Sequence, residues 1–174
     1  MSNENEMRLR NEGATEEIIF AIRLATAGVI ADETFDDKIE LLSVKLQLDS
    51  KNFLFFFQRG KMYVIGAKDN QLTNDQRVEF LEKAEADFDK VIELNPKFFG
   101  GYVARANLLK DKKYRDYSEA VFGYNRAIAD YSKAIELYPA FADAYRNRAN
   151  LYEKTEKKDL AKQDRKKANE LDGK

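Results

Sequence analysis

The chain contains neither cysteine nor histidine. Without cysteine there is no disulfide framework and no thiolate metal site, which suits a reducing compartment such as the cytoplasm. Without histidine as well, the commonest general base and the best nucleophile are both missing, so an enzyme is not expected, nor a cofactor or a metal centre. Proline occurs twice and glycine eight times in 174 residues. Gly100-Gly101 is no phosphate loop, because no strand precedes it and no lysine follows. No apolar run is long enough to span a membrane, and Met1 to Gly13 is polar and acidic, without the apolar segment of a signal peptide. Residues 1–13 are expected to be a flexible leader. What is present is charge of both signs, 30 basic and 31 acidic residues, in the proportion of a soluble, largely helical protein.

Against that background a stretch recurs three times: Val91-Ile92-Glu93-Leu94-Asn95-Pro96, Ala134-Ile135-Glu136-Leu137-Tyr138-Pro139 and Ala168-Asn169-Glu170-Leu171-Asp172-Gly173. Counting Ala142 as position 1 puts Tyr145 at position 4, Ala149 at 8, Tyr152 at 11, Ala161 at 20, Ala168 at 27 and Gly173 at 32. The copy that starts at Phe99 supplies Tyr102, Ala106 and Leu109, then Ala127, Tyr131, Ala134 and Pro139; the one from Phe53 supplies Phe56, Gly60 and Tyr63, then Ala84, Phe88, Val91 and Pro96. Small residues at fixed spacing let helices approach closely, aromatics fill the space beside them, and proline ends the unit. This pattern resembles the tetratricopeptide repeat family, a helix-turn-helix unit of about 34 residues. The resemblance implies an all-α solenoid of antiparallel helix pairs in a right-handed superhelical stack, with repeats at 53–98, 99–141 and 142–174.

Upstream, residues 14–52 read as an N-terminal helical hairpin. Ile18, Ile22, Ala25 and Val29 share one face, and Phe35, Ile39, Leu42 and Leu46 another, with Thr34 or Asp36 placed as the cap of the second helix. In repeat register Lys38 and Lys45 fall where small residues belong. The hairpin is therefore a degenerate repeat or cap, or else a segment that folds into the groove. The first two repeats are longer than 34 residues, and Pro96 and Pro139 lie 43 apart. Thr73 to Gln76 has the form of a capping box, and both second helices are expected to run about twenty residues, near 74–94 and near 117–137. Their extensions either thicken the core, burying Val121, Phe122 and Tyr124, or present Tyr114, Tyr117 and Phe122 as a second apolar surface for a partner or for self-association.

In the family that the chain resembles, first helices line a concave groove for an extended peptide or a partner's helix. Carried onto this sequence, the groove positions are Leu54, Phe57, Gln58, Lys61 and Val64, then Gly100, Val103, Ala104, Asn107 and Lys110, then Asp143, Arg146, Asn147, Asn150 and Glu153. One end is apolar and the other carries amides able to bond an extended backbone. Asn107 and Asn147 match amides of the carboxylate-clamping subclass, but Phe57, Val103 and Asp143 stand where that subclass has cations. The expected role is a non-catalytic protein-interaction scaffold. Alternatives are a small chaperone for secretion or assembly clients, and a structural subunit docked through its long second helices. The basic residues Lys157, Lys158, Lys162, Arg165, Lys166 and Lys167 are broken up by acids, so the last helix reads as a polar cap and nucleic acid is not an expected partner.

Overall fold

The computed structural model describes residues 34–113 and 116–173, so the leader, the first half of the N-terminal hairpin and Tyr114 lie outside the described residues. Within them run seven helices: α1 (Phe35–Leu48), α2 (Phe53–Gly66), α3 (Asn74–Leu94), α4 (Phe99–Asp111), α5 (Tyr117–Leu137), α6 (Ala142–Lys154) and α7 (Lys158–Leu171). The first helix of each repeat starts at the residue numbered 1 from the sequence, Phe53, Phe99 and Ala142. The two long second helices have 21 residues each, and the copy without an insertion closes on one of 14. The caps follow the local sequence. Thr34 and Asp37 form a reciprocal capping box at α1. At α3, Gln76 N–H donates to Thr73 Oγ1 at 3.3 Å while Thr73 N–H donates to Gln76 Oε1 at 2.9 Å.

By its internal contacts the chain divides into two units within α3, after Ala84. In the first, α1 packs on α2. Phe80 of α3 stands edge-on to Phe35 and Tyr63, at centroid distances of 6.2 and 5.7 Å. These rings leave Gly66 no room for a side chain: a Cβ there would lie 2.7 Å from the Phe80 ring and 2.9 Å from Phe35.

In the second unit α4 packs on α5, α5 on α6, and α6 on α7. The residues that the repeat pattern marks as small or aromatic are the core: Phe88, Val91, Ala106, Leu109, Ala127, Tyr131, Ala134, Ala149, Ala161 and Ala168 are essentially sealed from solvent. Aromatics gather at the turn side, where the Phe99 ring lies 5.2 Å from Tyr138 and 5.7 Å from Phe141.

Three buried acids, Asp87, Asp130 and Asp164, sit in this apolar setting. A buried carboxylate is tolerable only when paired and hydrogen-bonded. Arg105 meets Asp130 through two bonds, Nε to Oδ2 at 2.8 Å and Nη2 to Oδ1 at 2.7 Å. Arg148 meets Asp164 in the same two-pronged way, both at 2.7 Å. The remaining nitrogen reaches back to the preceding second helix: Arg105 Nη1 to Asp89 at 2.6 Å, Arg148 Nη1 to Ser132 Oγ at 2.8 Å. In the first unit Arg59 Nη1 donates to Ser43 Oγ of α1 at 3.1 Å. Ser43 and Ser132 each spend their own proton on the carbonyl four residues back, both at 2.7 Å, leaving a lone pair for the arginine. Arg59, Arg105 and Arg148 all hold position 7, and the guanidiniums of Arg59 and Arg148 lie between aromatics at positions 4 and 11, Phe56 and Tyr63 in one case and Tyr145 and Tyr152 in the other.

Candidate functional site

In the second unit the candidate groove residues come from α4 and α6, and α5 and α7 support them. Val103, Ala104, Asn107 and Lys110 on α4 are half-buried, as are Arg146 and Asn147 on α6, while Asp143, Asn150 and Glu153 are exposed. Two contacts tie them into one face. Lys110 Nζ donates to Asn147 Oδ1 at 3.1 Å, which brings α4 and α6 together directly. The Tyr131 hydroxyl, rising from α5, donates to Asn107 Oδ1 at 2.5 Å and fixes that amide from below. Burial, assisted by the carboxylates of Asp111 and Asp130, pushes the Tyr131 phenol well above its ordinary range, so it remains a donor. The amide oxygens of both asparagines are thus already engaged, which orients their nitrogens as the groups left to offer.

Further along the face, Arg146 pairs with Asp143 on its own helix and with Asp172 at the end of α7. Arg165 pairs with Glu153 and lies 3.4 Å from Asn150. The Arg165 contact holds the Glu153 carboxyl below its usual range. Arg146, Asn150, Arg165 and Asn169 line an open cleft of about 250 Å³. Arg165 and Asn169 are not among the groove positions implied by the family resemblance, which counts first helices alone; their spacing from Ala161 and Ala168 along α7 is the signal that the sequence offers for them.

The candidate residues of the first unit lie on α2. Leu54 is 45% exposed, Gln58 and Lys61 are exposed, and Phe57 and Val64 are half-buried. Lys61 Nζ sits 5.7 Å over the Phe57 ring, and Lys45 of α1 lies at the same distance from Phe55. Phe56, expected in the core, is only half-buried, its ring beneath Arg59. On the extension of α5, Tyr117 is 67% and Phe122 66% exposed, so Phe122 does not thicken the core. Val121 and Tyr124 are half-buried, Tyr124 beneath Lys154 at 4.7 Å. Among the described residues no group of acids is arranged to hold a metal ion. No described helix is long and apolar enough to cross a membrane.

Comparison with known proteins agrees with the repeat fold. Residues 123–155 match the family model described as TPR repeat, and residues 142–174 the one described as tetratricopeptide repeat. No protein of curated function matches the chain. Among solved structures it is similar to MamA MSR-1, at 23% identity and a TM-score of 0.61 over 90% of this chain and 75% of that one. A MamA RS-1 double mutant gives 16% identity and a TM-score of 0.66, covering 91% and 77% of the two chains. TTC0263, a thermophilic TPR protein of Thermus thermophilus, gives 15% identity and 0.57, covering 98% and 90%. At these identities the likeness concerns the fold.

Proposed function

We propose, from the premise that this chain is built on tetratricopeptide repeats, that it is a non-catalytic scaffold which holds a protein or peptide partner against the first-helix face of its second unit. The observation that carries this is the Lys110–Asn147 hydrogen bond, which links the half-buried apolar and amide groups of α4 to those of α6. Val103 and Ala104 offer apolar area, and Asn107 and Asn147, their oxygens held, offer N–H groups to the carbonyls of an extended chain. A chain without histidine or cysteine has little means for acid-base or nucleophilic work at such a face. The same lack of cysteine suits the cytoplasm.

A second mode of attachment is favoured by the exposure of Tyr117 and Phe122, large apolar side chains on the extended end of α5. A structural subunit would use them to dock into a larger assembly. We also read α1 as the second helix of a further repeat, since Ser43 meets Arg59 as Ser132 meets Arg148. Co-purification from the native host followed by mass spectrometry tests the scaffold reading: one stoichiometric partner is expected, and a spread of unfolded clients would instead indicate a chaperone.

A further inference from the structure

Counted back from Pro139, the repeat position at which α7 opens with Lys158 falls on Tyr124. Yet α5 opens at Tyr117, about two turns or about 10 Å earlier. The turn between α6 and α7 lands at the level of Tyr124: Lys154 Nζ lies 4.7 Å over that ring and 3.4 Å from its hydroxyl, and Lys157 Nζ donates to Asn125 Oδ1 at 3.1 Å. Tyr117, Val121, Tyr124 and Ile128 share one face of α5. Along it burial runs out. Ile128 is buried, Tyr124 and Val121 are half-buried, and Tyr117 is two-thirds exposed; Phe122, the residue after Val121, is exposed to the same degree. The apolar face thus continues past the point where its cover stops, leaving a step with α5 as its wall and the α6–α7 turn as its tread.

The tread is cationic. Residues 154–158 hold Lys154, Lys157 and Lys158 against one acid, Glu156. Lys154 and Lys157 are drawn onto α5 by neutral oxygens, a phenol and an amide, and neither has a carboxylate partner among the described residues. Other acids on these elements are committed. Glu85 pairs with both Lys112 and Arg126, Glu153 pairs with Arg165, and Asp116 caps α5 by accepting from the Glu119 N–H. An ammonium held by neutral acceptors gains by meeting a carboxylate, and the gain is larger where adjoining apolar surface excludes water. Wall and tread together therefore ask for a ligand that is apolar on one side and negative beside it.

We propose that this step docks an acidic amphipathic segment of a partner protein, its apolar side chains on Tyr117, Val121 and Phe122 and its carboxylates on Lys154 and Lys157. The proposal rests on the reading of the exposed end of α5 as an attachment surface and adds the chemistry of what attaches; none of these residues is a groove position. The full chain is titrated, by NMR at fixed ionic strength, with a capped helical peptide that carries leucines on one face and glutamates beside them, and with its glutamine analogue. Both peptides are expected to move the amide resonances of Tyr117, Val121 and Phe122, the glutamate peptide binding more tightly and added sodium chloride narrowing the difference. Lys154→Gln and Lys157→Gln should each weaken the glutamate peptide about two- to fivefold, the range of one exposed ion pair, and leave the glutamine peptide unmoved. Phe122→Ser should weaken both peptides about tenfold while the melting temperature is retained. Equal affinities of the two peptides at these residues overturn the acidic partner and leave the attachment surface standing. If neither peptide reaches them, the proposal and the attachment reading fall together. A concentration-dependent dimer in sedimentation that Phe122→Ser abolishes also overturns the proposal, giving the step to a second copy of the chain.

Discussion

Arg148 shows how much can rest on one side chain. It bonds both oxygens of a buried carboxylate, lies between two tyrosine rings and reaches Ser132 on the preceding helix. Its hydrogen bonds to Asp164 raise its pKa, with burial opposing, so it is charged at every working pH. Removing one partner of such a pair strands the other: Asp164→Ala should cost roughly 3–5 kcal/mol, measured by denaturant unfolding. The double variant Arg148→Met with Asp164→Leu should recover much of that loss, because an apolar pair leaves no stranded charge. Tyr131 gives a pH signature. An unfolded tyrosine ionises near pH 10, whereas burial holds the folded phenol protonated to higher pH, so the stability it lends is complete below about pH 10 and declines above it. Below pH 10, Tyr131→Phe should be less stable than the parent by about 1 kcal/mol, the worth of the bond to Asn107. Unfolding curves between pH 8 and 11 should show that gap closing; a constant gap would mean the phenol is not protected. The Arg–Asp pairs leave a trace in the sequence, since Arg105 and Arg148 recur at position 7 and Asp130 and Asp164 recur nine residues before the closing Pro or Gly. Attention to apolar periodicity passes over charges, because nothing in a pattern of charges alone tells a buried pair from a solvated face.

At the scale of the helix, the adjacent glycines of α4 should respond in opposite ways. A Cβ on Gly101 would lie 2.8 Å from Val91 Cγ1, on a side chain sealed in the core that has nowhere to move. A Cβ on Gly100 meets the far end of the Phe98 ring, at 2.7 Å, on a half-buried side chain that can swing aside. Alanine gains about 1 kcal/mol over glycine within a helix. Gly101→Ala should nevertheless be destabilising by about 1 kcal/mol net, since overpacking costs about 1–3, and Gly100→Ala should be neutral or stabilising. Thermal melts of the two single variants decide it, and equal shifts would refute the packing account. Helix starts, the Thr73–Gln76 capping box and second helices of about twenty residues are legible in the sequence, because caps and small-residue spacing are local signals. The sequence leaves the cap of α1 open between Thr34 and Asp36, and the structure assigns it to Thr34. The outward turn of Phe122 is not, since alternation along α5 says which residues share a face but not whether another helix covers it.

For the molecule as a whole, the repeats specify a framework and leave its use to the residues between the signature positions. Of the groove positions inferred from first helices, those of the first unit lie on α2 and are rich in aromatics, and those of the second lie on α4 and α6 and carry amides. The cleft on α6 and α7 adds Arg165 and Asn169 to the face of α6, and these belong to a second helix and so fall outside a rule built on first helices. The most direct measurement is quantitative co-purification from the native host with two variants beside the parent chain: Val103→Glu with Asn107→Ala and Asn147→Ala, and separately Phe122→Ser. If the first-helix face is the binding surface, the triple variant loses the stoichiometric partner while remaining folded by circular dichroism, and Phe122→Ser keeps it. Retention by the triple variant with loss on Phe122→Ser would contradict the account and assign the partner to the extended end of α5.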